Sequence, residues 1–439
     1  MHCESSRNYN LEFFMKHHAL KEFLQYSYTA FHAVENSKKI LIDNGFSPLS
    51  EGEDWDIQEN GKYFVERGGS ALIAFTVGNL DSICFKITAA HVDSPCLKLK
   101  EQPVLSTDCY EKLNVEKYGS GLWYSFLDRP LKIAGRIVFE ENGALKTENV
   151  VSDYCVTIPS LPIHQNRTAN DGFPINPQVD LLPLLSASGC GKEWLSTLTD
   201  KDVITSDLFL ANADAPYYFG MKNEFLASPR IDNLTSVYAI LQALTSHAGN
   251  SGGISIGAFF DHEEIGSRSA NGAMGDFLES TLRRIAYALK LDESELYKAY
   301  ANSFFVSVDN AHALHPNHPE KADPTNKVIL GGGVVIKHHA GKAYTTDAMS
   351  AAIMQTICKR AGIQTQSFFN RSDAVSGSTL GALAQARISI PAVDIGLAQL
   401  AMHSANESFA LSDYECMQDA LTAFYSSSLK VSENGTLIE

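Results

Sequence analysis

The chain has 439 residues, 44% of them hydrophobic and 20% charged, with a formal net charge of −16 at pH 7. This is the balance of an ordinary globular protein, with two or three domains' worth of chain and ample length for a large core. Its acidic excess excludes nucleic acid and anionic membrane as partners, because both need a basic footprint. No run approaches the ~20 consecutive apolar residues of a membrane span, and the opening MHCESSRNYNLEFFMKHH lacks the apolar core of a secretion signal. The eight cysteines are scattered without a C-x-x-C pair. Free buried thiols and a cytoplasmic location are therefore expected.

In chain order, Leu20, Phe23, Leu24, Phe31, Val34, Ile40 and Leu41 recur at helical steps. They predict a helix from Leu11 to the break at Asn44-Gly45. SALIAFTVG (Ser70 to Gly78) and SICFKITAA (Ser82 to Ala90) read as two strands with a hairpin-like connection. From 101 to 228 the texture changes. LKIAGRIVFE (Leu131 to Glu140) and VSDYCVTIPSL (Val151 to Leu161) are short β-like runs broken by Gly, Pro and Asn. From Asp232 onward helix and strand alternate: helix 234–246, strand 254–260, helix 277–291, strand 303–308, helix 346–361, the strand IPAVDIG (Ile390 to Gly396) and a helix over 412–429. Such alternation predicts an α/β fold with a helix-covered, mixed but largely parallel sheet. The expected organisation is one discontinuous domain, 1–100 and 229–439, interrupted by a β-rich insert at 101–228.

The polar residues fall where the apolar strands end. SICFKITAA runs into His91-Val92-Asp93, ISIGAFF into Asp261-His262-Glu263-Glu264, and SFFVSV into Asp309-Asn310-Ala311-His312. His403 follows IPAVDIG, and Asp232 opens a helix in SPRIDNLTSV. Open α/β sheets gather functional groups at the carboxyl ends of strands. His91, Asp232, Glu264, Asp309 and His403 are thus expected to converge, with Glu263 and Asp93 beside them. Imidazoles with carboxylates suit zinc, cobalt or manganese. Three carboxylates, about −3, against about +4 for two divalent ions leave roughly +1 for one hydroxide or a polarised carbonyl oxygen. Adjacent residues in extended backbone point opposite ways. That gives Glu263 and Glu264 separate tasks, one on metal and one as a proton shuttle. The two-residue step from His91 to Asp93 lets the carboxylate hold the imidazole's tautomer. GCGKE (Gly189 to Glu193) is no phosphate loop, since Ser186 stands at the first glycine position and Glu193 at the Ser/Thr position. No G-x-S-x-G nucleophile elbow is present.

YTAFHAV (Tyr28 to Val34), TAAHVDSPCLKLK (Thr88 to Lys100), IPSLPIH (Ile158 to His164), SPRIDNL (Ser228 to Leu234), FDHEEIGS (Phe260 to Ser267), SVDNAHALHPNHPEK (Ser307 to Lys321) and AMHSANE (Ala401 to Glu407) span nearly the whole chain. Together they resemble the M18 metallopeptidases, the aspartyl aminopeptidases. The resemblance implies a zinc-peptidase, phosphorylase/hydrolase-like catalytic domain whose β-rich insert mediates dimerisation. It implies two zinc ions, one held by His91 and Asp309, the other by Glu264 and His403, with Asp232 bridging. Glu263 would be the general base, and Asp93 would orient His91. His164 would reach the active site of a neighbouring subunit within a tetrahedral dodecamer. The implied substrates are peptides with N-terminal Asp or Glu, met by Lys337 and Tyr344; His312, three residues after Asp309, is itself expected to contact substrate. The chain departs from many relatives at Asn406, where they carry arginine. The ligand set by itself also fits an aminopeptidase that prefers neutral residues, another two-metal amidase or deacetylase, or a non-catalytic assembly shell.

Overall fold

The computed structural model describes residues 17–80, 83–189, 191–246, 252–432 and 435–438. The periodic N-terminal segment forms two helices rather than one, over residues 17–26 and Ala30–Asp43, with a break between them. The start of the expected helix, Leu11 to Lys16, lies outside the described residues. Leu20, Phe23, Leu24, Val34 and Leu41 point into the core as their spacing requires.

The main sheet has nine strands. Their spatial order is Ser47–Leu49, Lys62–Arg67, Ala71–Val77, Ile254–Phe260, Phe85–His91, Phe304–Val308, Ala392–Gly396, Val334–Lys337 and Thr365–Phe368. The four strands from Ile254–Phe260 to Ala392–Gly396 run parallel, while antiparallel pairings on both flanks make the sheet mixed. ISIGAFF and FKITAAH are buried at every position, as parallel strands covered on both faces must be. The helices Ile231–Ser246, Ala348–Arg360 and Leu411–Ser426 pack on one face with the N-terminal pair. Phe277–Ala288, Glu293–Ala301 and Leu380–Ile388 pack on the other. Two of these, Glu293–Ala301 and Leu380–Ile388, are helices that the periodicity did not reveal. The first is too polar for a clear stripe, and is set instead by a capping box between Asp292 and Glu295.

The expected hairpin is not one. Ile254–Phe260 lies between the two strands, antiparallel to Ala71–Val77 and parallel to Phe85–His91. The chain does reverse, but the strands stand two positions apart, about 10 Å, with a slot that a distant segment fills.

Residues 96–212 build a second, six-stranded sheet with every pairing antiparallel and a core of its own. Its strand Cys96–Ser106 contains the expected boundary at residue 101. Phe225–Ser228 pairs instead with Glu407–Ala410 in a small third sheet. VSDYCVTIPSL makes only single bridges, at Val156 and Thr157, once the strand Ala144–Val151 has ended.

Six cysteines among the described residues are free. Cys84 and Cys358 are buried as expected. Cys96 and Cys416 are half-buried, and Cys109 and Cys155 are exposed on connections of the second sheet. Cys3 and Cys190 lie outside the described residues. Among those residues, no helix is long and apolar enough to cross a membrane.

Candidate metal centre

Parallel strands in register bring their carboxyl ends to one edge. His91 is the last residue of its strand and stands directly opposite Phe260. Glu263 and Glu264 follow Phe260, and Asp309 follows Val308 on the other side. Asp232 enters from the helix Ile231–Ser246, whose first turn is non-helical and contains a cis Asp232–Asn233 peptide. His403 lies beyond the strand Ala398–Leu400 with φ at 64°. That left-handed conformation is rare for a residue with a side chain and persists only where its surroundings impose it.

The five expected ligands meet. His91 Nε2 is 3.3 Å from Asp232 Oδ1 and 3.7 Å from Asp309 Oδ1. His403 Nε2 is 3.6 Å from Asp232 Oδ2 and 3.5 Å from Glu264 Oε1. Two triplets result, His91–Asp232–Asp309 and Asp232–Glu264–His403, each with donor atoms within 4.8 Å of one another. Asp232 belongs to both and turns a different oxygen to each.

The expectation for the glutamate pair is corrected. Glu263 and Glu264 are not in extended backbone. They occupy a 3₁₀ turn that follows His262, itself left-handed at φ 64°. The turn lets both carboxylates reach His91, with all three donors within 4.8 Å. Alternation therefore does not separate their roles; what separates them is that Glu264 alone joins Asp232 and His403 in the second triplet.

Backbone amides fix this geometry. Asp93 accepts from Glu263 N and Glu264 N, both at 3.1 Å, one on each oxygen. Its backbone carbonyl lies 3.0 Å from His91 Nδ1, closer than its carboxylate at 3.5 Å. Glu407, to which the sequence reading gave no role, does the same on the other side. Its buried carboxylate accepts from Asp232 N at 2.9 Å and from His403 N at 2.6 Å. Only the quoted AMHSANE signalled it, and nothing in that string marks a glutamate as an acceptor for backbone amides.

The electrostatics ask for cations. Burial pushes the Glu263 carboxyl up to about 8, Glu407 to about 8, and Glu264 well above its usual range. Burial alone would lower His91 and His403, but the surrounding carboxylates outweigh it and raise His403 to about 10. Among the described residues, Asp232 Oδ1 and Glu264 Oε1 are buried without a hydrogen-bond partner. Buried carboxylate oxygens need a proton, a donor or a metal, and both orphans face imidazoles in the geometry of ligands. This donor set fits divalent metal ions.

Of the residues expected to meet substrate, Lys337 is buried, its ammonium 3.3 Å from Asp309 Oδ2 and donating to the carbonyls of Asp309 (3.2 Å) and Asn310 (2.9 Å). It also stands 4.8 Å above the Tyr344 ring. His312 lines a cavity of about 400 Å³ with Phe368, Gln399, Lys321 and Arg371. Burial on its inner side and the Lys337 charge hold its imidazole below the usual range. His164 is exposed on a turn, and no hydrogen bond or ion pair among the described residues ties it to the cluster. Asn406 donates to Tyr217 Oη at 3.1 Å, linking the His403 turn to the strand Tyr217–Phe219.

A mixed α/β sheet whose parallel strands end in two triplets of candidate metal ligands around one aspartate matches the fold of zinc-peptidase-type metalloenzymes. Known proteins agree. The family model described as "Aminopeptidase I zinc metalloprotease (M18)" matches residues 23–425, and the chain belongs to this M18 family of zinc metallo-aminopeptidases. A probable M18 family aminopeptidase 2 of Clostridium acetobutylicum is 40% identical over 431 residues, 94% of this chain and 99% of that protein. The solved complex of Ape4 and Nbr1 superposes with a TM-score of 0.89 at 34% identity, covering 92% of this chain and 84% of that one. The mApe1 dodecamer of S. cerevisiae superposes at 0.80 with 25% identity, covering 93% and 95%.

Proposed function

We propose that this protein is a cytoplasmic dinuclear zinc aminopeptidase that releases N-terminal residues, acidic ones by preference, from peptides. One observation carries the reading: the two oxygens of Asp232 face two separate triplets of ligands. His91 and Asp309 would hold one ion and Glu264 and His403 the other, with Asp232 shared between the two triplets; cobalt or manganese would also suit these donors. Divalent ions in this site supply Lewis acidity, lowering the pKa of a water and polarising the scissile carbonyl. Glu263 takes the proton of the attacking water and hands it to the departing amine. Its carboxyl sits up at about 8 because burial and its acidic neighbours disfavour charge, and positive charge in the cluster brings it down to ionise at neutral pH. Asp93 fixes His91 and the turn that carries the base.

The second sheet is the dimerisation domain in this reading. It carries His164 to the active site of a neighbouring subunit in a tetrahedral dodecamer. The likeness to dodecameric mApe1 supports self-assembly. For the acidic preference, His312, Lys337 and Tyr344 line the pocket, and Lys321 and Arg371 add positive charge in the adjoining cavity. A neutral preference is the second reading. It is favoured by one observation, that the ammonium of Lys337 already faces three oxygens of Asp309 and Asn310.

The test is a set of initial rates on Asp-, Glu-, Leu- and Lys-chromogenic amides, before and after chelation and zinc re-addition, beside Glu263→Gln. Asp and Glu amides are expected to be cleaved fastest, chelation to abolish cleavage and zinc to restore it. Glu263→Gln is expected to lose about 10²–10⁴-fold in kcat with its zinc retained. A Leu preference selects the second reading. Metal-replete, assembled protein that cleaves no amide sinks the aminopeptidase reading.

A further inference from the structure

Three contacts reach the metal centre from a direction the mechanism does not use. The strand Tyr110–Tyr118 belongs to the second sheet, and the five residues Tyr118 to Leu122 leave its end as a strap across the cluster. Tyr118 Oη donates to Asp93 Oδ2 at 2.7 Å, the same oxygen that accepts from Glu264 N. The Ser120 carbonyl lies 2.9 Å from His403 Nδ1. Leu122 N donates to the His403 carbonyl at 2.8 Å. Between them Gly119, at φ +75°, passes so close to the glutamate turn that an added Cβ would stand 3.1 Å from Glu264 Cβ. Just beyond the strap, Ser125 Oγ accepts from Ala405 N at 2.8 Å.

Each contact has a chemical consequence for the donors. A carbonyl on Nδ1 of His403 selects the tautomer with its proton there, leaving the Nε2 lone pair directed into the cluster. A phenol on Asp93 holds in place a carboxylate whose two oxygens pin the amides of Glu263 and Glu264. Packing would demand neither: apolar groups of the same shape would fill the seam between the sheets equally well.

We propose that the strap is a built part of the metal centre, with Tyr118 as a positioning residue for the Glu263–Glu264 turn and Ser120 as the carbonyl that sets the His403 tautomer. The second sheet then sets metal affinity within one subunit, apart from any contribution it makes across an interface. This rests on reading the cluster as a metal site.

The experiment compares intact wild-type protein with Tyr118→Phe, which removes one hydroxyl, and Gly119→Ala, which pushes the strap off Glu264. Exposed Tyr124→Phe in the same domain is the control. Zinc affinity is read by competition with a chromophoric chelator, and the unfolding midpoint of the metal-free form and the kcat and KM on a chromogenic amide are read in parallel. Tyr118→Phe is expected to bind zinc about 10- to 100-fold more weakly. Its metal-free midpoint and KM are expected to match wild type, kcat to fall, and Gly119→Ala to change affinity in the same direction. Zinc affinity of Tyr118→Phe within about twofold of wild type overturns the proposal. So does a lowered metal-free midpoint that accounts for the loss, which would make Tyr118 purely structural. Wild type that binds zinc but cleaves nothing refutes the aminopeptidase reading and leaves the affinity comparison standing; wild type that binds no zinc refutes both.

Discussion

Glu407 stands outside both triplets, yet two of the five candidate ligands hang from it. Both oxygens accept from backbone amides, those of Asp232 and His403. Glu407→Gln keeps the shape and replaces one acceptor with a donor, so one amide meets a like group. A buried amide left unpaired costs on the order of 1–3 kcal/mol. The expected outcome is about tenfold weaker zinc retention, measured as zinc per subunit after dialysis against a weak chelator. Full retention would show that the His403 turn holds itself. At this scale the sequence was informative about which side chains gather and set Asp93 beside His91, but it was silent about the backbone amides through which Asp93 and Glu407 hold the cluster. His91, Asp309 and Glu264 stand at the ends of apolar runs, and burial of those runs forces their polar termini to one edge. Asp93 and Glu407 act on backbone amides, and such acceptors leave no pattern of spacing. The burial of Lys337 was equally hidden, because its partners at Asp309 and Asn310 lie far away in sequence.

Elements were legible where a local rule dictated them. ISIGAFF had to be a buried strand and is, residue for residue. The turn after it was misread because alternation was carried past the strand's end, where His262 adopts a left-handed conformation. The slot between Ala71–Val77 and Phe85–His91 was misread because strand order is a long-range property. The helix Ala30–Asp43 carries a consequence of its own. His32 is buried in its first turn, its Nδ1 2.9 Å from Thr29 Oγ1. Burial lowers its imidazole to about 4, against the opposing pull of Glu35, while Arg230 and Lys39 lower it further. An unfolded histidine takes up a proton near 6.5, which the folded one refuses until about 4. Falling pH therefore favours unfolding across that window, and stability is lost between roughly pH 6.5 and 4. The contribution between pH 7 and pH 5 is about 2 kcal/mol. His32→Gln is expected to flatten that part of the urea-midpoint profile relative to wild type; parallel profiles would mean that His32 does not titrate in the window.

For the whole molecule the question is whether the active site is complete within one chain. His164 is exposed, and among the described residues no hydrogen bond or ion pair ties it to its own cluster, as expected of a residue serving a neighbour. Co-expressing His164→Ala with Glu263→Gln tests this. In a mixed assembly, a subunit lacking His164 keeps its own Glu263 and receives His164 from the other variant. Activity is expected to reappear in the mixture although each parent is inactive. A mixture as inactive as its parents would confine His164 to its own subunit.

The strand order has a further consequence, for synthesis on the ribosome. Phe85–His91 pairs with Ile254–Phe260 on one edge and Phe304–Val308 on the other, and with no earlier segment. Roughly 160 residues separate its end from the first of these partners, about 8 to 30 s of elongation at roughly 5–20 residues per second. Throughout that interval a strand that the finished sheet buries at every position has both edges bare, while the antiparallel sheet of residues 96–212 can close on its own contacts as it emerges. The nascent chain thus presents a finished second sheet beside an unpaired strand, the state in which association with other chains competes most directly with folding.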